Sequence, residues 1–330
     1  MNISDVDVII SATSQSGQAG SWYPLIYVVT TEETTTYKEY SSLAEVKADF
    51  GETTDAYKVA NLLFMQGEEY APEKIAIVQG GETVTEGLSA YMDKDWRHLI
   101  VVGKEYDNAV ATFIETTEKM YFTNFATVAT AKTAKITDYD RTVGIVYTGT
   151  DVTNPEAAIV GRMAGLPAGK GTYHAKVVKG VTAETFTKAE LDEIHTAGCF
   201  TYVQKNGRTA TSNGNAGSGE WIDVVESKDY VIQNIRYDVQ EVFLNNDKIP
   251  YDNAGISKIE NAVRNVLAKA FNNGMIAADE NGNALYKTTF KPRSETTAQD
   301  RATRNYPYGY FEFELAGAIH KAKITGLVTA

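Results

Sequence analysis

The first half of the chain alternates between two kinds of apolar pattern. Residues 24–29 (PLIYVV) form an unbroken apolar run, the mark of a strand covered on both faces. Residues 74–78 and 98–102 read as a second and third strand, and 125–130 and 142–147 as a fourth and fifth. Between them apolar positions recur at helical spacing. Ala44, Val46 and Phe50 lie behind a capping Ser42 and before Gly51; Ala56, Val59, Leu62, Leu63 and Met65 follow Asp55; Leu88 and Tyr91 suit a short helix; Ala109, Ala111, Phe113 and Ile114 fall within 108–120. Strands alternating with helices at this spacing predict a doubly wound, mostly parallel sheet, and place an α/β domain at residues 23–180.

Residues 154–181 (NPEAAIVGRMAGLPAGKGTYHAKVVKGV) close that layer. Asn154 can cap, Pro155 suits the first helical position, and Glu156 suits the positive end of the helix dipole. Ala157, Gly161, Ala164 and Gly165 give the helix a small-residue back that can lie close to a neighbour, and 173–178 returns to an extended pattern.

The pattern then becomes mixed, which predicts a C-terminal α+β domain at residues 181–315. A helix opens near Lys188 and closes at Gly198; 199–204 reads as a strand, with a tight turn at 205–207 and a return at 208–210. Residues 221–225 read as a strand and 228–243 as a long helix. Ile256, Ile259, Val263, Val266, Leu267, Ala270 and Phe271 mark one face of a further helix, with Asn273-Gly274 at its end. Residues 275–309 show no period, and 310–315 alternates strictly.

Both ends differ from the body. Val6, Val8 and Ile10 alternate with Asp5, Asp7 and Ile9 before a Ser/Gly/Gln stretch at 11–20, so residues 1–22 read as an arm on a loose tether. Ile319, Ala322 and Ile324 lie in a strand-like segment after Ala316-Gly317, making 316–330 a second arm. An isolated strand is unstable in water, so each arm calls for a partner.

Composition narrows the function. The net charge of −12 gives no footprint for a phosphate backbone, so no nucleic-acid partner is expected. No apolar run is long enough to span a bilayer, and the N-terminus lacks a basic signal-peptide region, so no membrane partner is expected either. One cysteine, Cys199, excludes an intramolecular disulfide. Twenty tyrosines and abundant threonine favour strands and surface contact.

Candidate chemistry is thin. Gly165-Leu-Pro-Ala-Gly-Lys-Gly-Thr172 imitates a phosphate loop but is one residue short, has Gly171 where the magnesium-binding hydroxyl belongs, and follows a helix. The 214–219 glycine loop precedes a strand, not a helix. His195 and Cys199 stand four apart with no second ligand pair, and no nucleophile elbow is present. These readings assign no catalytic residue, no metal and no cofactor.

The run Ala157-Ala-Ile-Val-Gly-Arg-Met-Ala164, a Pro-Gly loop, and Lys176-Val-Val-Lys-Gly-Val181 together resemble the middle of contractile tail sheath proteins. The order continues through the 188–194 helix, 200–205, Gly207-Arg208-Thr209, Trp221-Ile-Asp-Val224, 230–244 and the spaced isoleucines of 256–271, and 246–256 resembles a segment of small phage sheaths. The resemblance spans about residues 150–275. It implies a non-enzymatic structural subunit that polymerises as stacked hexameric rings around a tail tube and contracts from a metastable extended state to drive the tube through a cell envelope. The particle would be a phage virion or a phage-tail-like bacteriocin, assembled in the bacterial cytoplasm. Implied partners are neighbouring sheath subunits joined by strand addition through the arms, the tail tube protein, and baseplate and tail terminator proteins. In an acidic chain, Lys258, Arg264 and Lys269 on the exposed face of the 256–272 helix are candidates to face the tube, beside a second basic cluster at 287–304. The alternative is an α/β nucleotide- or cofactor-binding enzyme, resting on the doubly wound half alone.

Overall fold

In the computed structural model, which describes residues 22–31, 35–205 and 207–320, the elements run β1 (Tyr23–Val29), β2 (Thr36–Tyr40), α1 (Leu43–Phe50), α2 (Asp55–Phe64), β3 (Ile75–Gly80), α3 (Val84–Ser89), β4 (Trp96–Val102), α4 (Asn108–Glu115), β5 (Met120–Phe125), α5 (Val128–Ala134), β6 (Thr142–Val146) and α6 (Glu156–Ala164). The second half adds α7 (Lys188–Thr196), β7 (Cys199–Phe200), β8 (Tyr202–Lys205), β9 (Arg208–Thr211), α8 (Ile222–Leu244), α9 (Asn253–Asn272), β10 (Tyr286–Phe290), α10 (Ala298–Thr303) and β11 (Gly309–Phe313).

The expected doubly wound sheet is present. It has seven strands in the order β2-β3-β1-β4-β5-β6-β7, all parallel except the β2 edge. Every residue of β4 and β6 is buried, as the apolar runs require of strands covered on both faces. One face packs on α1, α2 and α6 through Val46, Leu63 and Ile159; the other packs on α3 and α4 through Leu88, Val110 and Ile114. Gly161 is where α6 crosses α2. A Cβ there would stand 2.5 Å from the Leu63 carbonyl oxygen and 2.7 Å from its Cα, so the small-residue back does bring two helix backbones together.

Local boundaries differ from the sequence reading in ways with physical causes. The 108–120 helix stops at Glu115, where the Thr116 and Thr117 hydroxyls donate to the carbonyls of Phe113 and Ile114. The chain re-enters the sheet as β5 at Met120, and the strand expected at 125–130 is instead the end of β5 and the start of α5, nucleated by a reciprocal Thr127–Thr130 capping box. Asn154 does not cap α6; its amide donates to the Val101 carbonyl (3.3 Å) and to Glu156 (2.7 Å). Residues 221–225 are not a strand: Trp221 precedes α8, whose first turns bury Ile222, Val225 and Glu226 on one face, and tertiary packing overrides the β-branched bias. The extended 173–178 segment forms no strand, although Ala175 and Lys176 bond to Thr211. The stretch 275–309, expected to be irregular, holds β10 and α10.

The expected division near residue 180 does not coincide with the edge of the sheet. β7, from residues 199–200, pairs with β6 as the seventh strand, and beyond it α8 and α9 pack against each other and under the antiparallel β10–β11 hairpin.

Candidate assembly surface

Helix α8 is the joint between the two halves. Its residues Glu226, Asp229, Gln233 and Arg236, spaced by three and four, lie on one face. They meet side chains from the N-terminal ends of β4, β5 and β6. Asp229 accepts Arg141 through both oxygens (2.7 and 2.9 Å) and pairs with Arg97 at 2.6 Å, with the side chains of Arg97 and Asp229 only 1% and 2% exposed. Arg236 pairs with Glu118 at 2.6 Å, and Gln233 donates to the same carboxylate at 2.7 Å. His98 meets Glu226 at 2.8 Å, and the Tyr173 hydroxyl donates to that carboxylate at 3.0 Å. Burial alone would raise the Asp229 carboxyl, but the Arg97 and Arg141 charges reverse this and hold it below its usual range. Sequence reading missed this seam. Its signal was present as four polar residues on one face of a helix otherwise dictated by apolar spacing.

Beyond α8 the second unit offers open surface. Lys258, Arg264 and Lys269 are all exposed on α9, as expected. Each also has an acceptor in its own subunit: Asn246 for Lys258 (2.7 Å), Glu260 for Arg264 (2.7 Å), and Asp238 for Lys269 (3.4 Å). With Asp238 and Glu241, Lys258 lines an open groove of about 380 Å³ between α8 and α9, so this face is of mixed charge and not a basic stripe. The 287–304 cluster is likewise dispersed: Lys287 lies 4.0 Å from Glu312, Lys291 sits over the Tyr308 ring, and Arg301 donates to Thr296.

The β10–β11 hairpin buries one face, with Phe311 and Phe313 toward α9, and exposes Lys287, Thr289, Tyr310 and Glu312 on the other. Among the described residues no third strand pairs with it; only residues 276 and 278 bridge, to Leu315 and Ala284 at its open end. Ile319 is 90% exposed and in no strand. Val6, Val8, Ile10, Ala322 and Ile324 lie outside the described residues.

The glycine loops serve packing. A Cβ on Gly165 would sit 2.4 Å from the Ala71 carbonyl oxygen, and one on Gly169 would sit 2.2 Å from Met275 Cγ, so the phosphate-loop mimic is where the α/β layer touches the end of α9. In the other loop, Gly217 donates to the Thr142 carbonyl. His195 meets Ser212 at 2.9 Å, while burial pushes the Cys199 thiol up to about 12, a poor nucleophile. At the C-terminal end of the sheet, where a doubly wound fold usually opens a ligand crevice, a plug of Asn124, Asn154 and buried Glu156 stands instead. Among the described residues no group of three or more His, Cys, Asp or Glu is placed to hold a metal.

Residues 222–328 match the family described as E217 tail sheath protein gp31-like, C-terminal domain. None of the curated protein sequences matches the chain. Among solved structures, the chain is similar over 100% of its length, and 98% of the other chain, to one from the anti-feeding prophage helical sheath in its contracted state (TM-score 0.68, 13% identity). It is similar to the same extent to one from the contracted sheath complex of an extracellular contractile injection system, PVC (TM-score 0.68, 12% identity). The sheath tail protein Lin1278 from Listeria innocua aligns over 91% of this chain and 97% of its own (TM-score 0.60, 9% identity). The resemblance read from residues 150–275 is borne out in fold along the whole chain.

Proposed function

We propose that this chain, which carries the contractile tail sheath fold throughout and a tail-sheath C-terminal domain at 222–328, is a structural, non-enzymatic subunit of a contractile sheath. The observation that carries the reading is the mutual coverage: 100% of this chain and 98% of a sheath chain align. Subunits stack as hexameric rings around a tail tube in a phage tail or bacteriocin-like particle, assembled in the bacterial cytoplasm. The partners are neighbouring copies, the tube protein, the baseplate and the tail terminator.

Geometry supports strand addition as the link between copies. The β10–β11 hairpin has unpaired edges among the described residues, and an unpaired edge is a template for another strand. The terminal segments 1–22 and 316–330 are the candidates to fill it in a neighbour. A head-to-tail contact of this kind builds a ring where its rotation closes and an open helix where it does not, so contacts within and between rings can both be of this type. Contraction then requires the same folded subunit in two packings. The buried seam along α8 favours domains that keep their internal structure while subunits move relative to one another, so residues 23–315 should superpose between extended and contracted states.

Negative-stain microscopy of the purified chain, alone and co-expressed with its tube protein, tests the reading. Tubes of stacked rings are the expected result; a protein that stays monomeric under both conditions would overturn it.

A further inference from the structure

The two ends of the described chain land on the same helix. At one end, Trp22 lies against the middle of α8. Its Nε1 donates to Gln233 at 3.0 Å, its ring meets Tyr230 edge-on at 6.3 Å, and the Arg97 guanidinium covers it at 4.6 Å. Arg97 is itself held by Asp229 of α8 at 2.6 Å. At the other end, the Ala316 amide donates to the Met275 carbonyl (2.9 Å), and residues 317–319 then run exposed. The chain touches the body again at His320. That ring stacks on His174 (4.5 Å, 21° between planes) and meets Trp221, the residue that opens α8, edge-on at 4.3 Å. Trp221 and Gln233 are about 18 Å apart along the helix at 1.5 Å per residue.

We propose that Trp22 and His320 are paired anchors through which the segments before residue 22 and after residue 320 act on α8, an assignment that rests on reading those segments as links between subunits. The mechanical reason is the direction of load. Without the His320 stack, tension on the C-terminal segment would pass along exposed residues 317–319 to a single backbone hydrogen bond at Ala316 and peel the hairpin from its end. Without Trp22, tension on the N-terminal segment would fall directly on β1 in the middle of the sheet. With both anchors, the load enters a 23-residue helix already fixed to three strands by the ionic seam. Both are positioning residues, since neither needs to touch a neighbouring subunit.

The test uses the full chain with His320→Ala, His320→Phe, Trp22→Ala and Trp22→Phe. Two readouts are taken on the monomer: tryptic cleavage after Lys321, and the fluorescence anisotropy of a dye on Ser21→Cys. A third is polymer formation. His320→Ala should raise the cleavage rate about tenfold, because cleavage follows the released population. Trp22→Ala should lower the anisotropy, and both alanine variants should lose polymer while thermal unfolding stays unchanged. The phenylalanine variants keep a ring to stack and should restore all three readouts. Unchanged cleavage or anisotropy, phenylalanine variants that behave like alanine, or normal polymer from the alanine variants would overturn the anchors. So would global unfolding of an alanine variant, which would make the residue part of the core. If the parent chain never polymerises, the sheath reading fails, while cleavage and anisotropy still decide the anchors.

Discussion

Of the three sheets among the described residues, the seven-stranded one and the β10–β11 pair treat their edges in opposite ways. The seven-stranded sheet is finished: its middle strands are buried on both faces, and its outer strands are the polar β2 and the two-residue β7. Short or polar strands at a sheet margin discourage further pairing. The two-stranded β10–β11 hairpin is the reverse. It has five residues per strand, one exposed face and no third strand among the described residues. Two-stranded sheets are marginal unless they pack on something, and this one relies on α9 from below. The first layer supplies stability within one chain, and the second leaves strand edges open among the described residues, which the proposed assembly would fill from another chain.

The sharpest way to break that comparison is to remove the candidate strand donor. A chain lacking residues 318–330 should remain a folded, soluble monomer and lose polymerisation altogether. Circular dichroism and sedimentation velocity check both halves of the expectation. A truncated chain that still forms tubes, or one that cannot fold, would place those residues inside the subunit's own structure.

The joint between the two layers should be the most sensitive point for stability. Asp229→Ala would leave Arg97 and Arg141 buried without their carboxylate, at a cost of about 3–5 kcal/mol. By contrast, the Lys188–Asp192 pair is largely exposed, and Asp192→Ala should stay within about 1 kcal/mol of the parent. Urea unfolding of the two variants measures the difference; equal effects would show that the seam does not hold the halves together.

A smaller, pH-dependent effect separates the finished layer from the open one. Burial raises the Glu156 carboxyl to about 7, against hydrogen bonds from Asn154 and Asn124 that lower it. The folded state therefore keeps a proton that the unfolded chain releases near pH 4.5. Stability should fall as pH rises from there through about 7, by about 3 kcal/mol in all. Glu156→Gln should remove that share of the pH dependence, so the two stability curves converge near pH 4, separate between about 4.5 and 7, and keep a constant offset above that. Parallel stability curves across this range would contradict the buried placement.

How much of this was legible in the sequence follows the same division. Continuous apolar runs identified β1, β3 and β4, and the period of α9 located its buried face, because one pattern dictated each element. Residues 221–225 misled because local β-branched bias points to a strand, while burial of Ile222, Val225 and Glu226 on one face makes them the first turns of α8. The α8 seam was hidden for a different reason. Arg97, Glu118 and Arg141 stand at the starts of separate strands, and only the folded sheet brings them to one edge. Glycine loops were visible but ambiguous, since Gly165 and Gly169 meet the Ala71 carbonyl and Met275 in a way that no local motif encodes.

The smallest expected effect concerns the exposed face of α9. Lys258, Arg264 and Lys269 project to solvent, yet Asn246, Glu260 and Asp238 each engage one of them within the subunit. Exposed pairs contribute little to stability, so Lys258→Glu with Lys269→Glu should leave thermal unfolding nearly unchanged. Should this face meet the tube, charge complementarity would act on the encounter and its register more than on the final contact. The double variant should then assemble on tubes more slowly, by about tenfold at low salt, with the gap closing as salt screens the charges. Tube-free polymerisation through the hairpin edges should be untouched, which makes it the internal control. Assembly on tubes at the parent rate would remove these lysines from the tube-facing surface and leave the mixed-charge groove between α8 and α9 as solvated helix face.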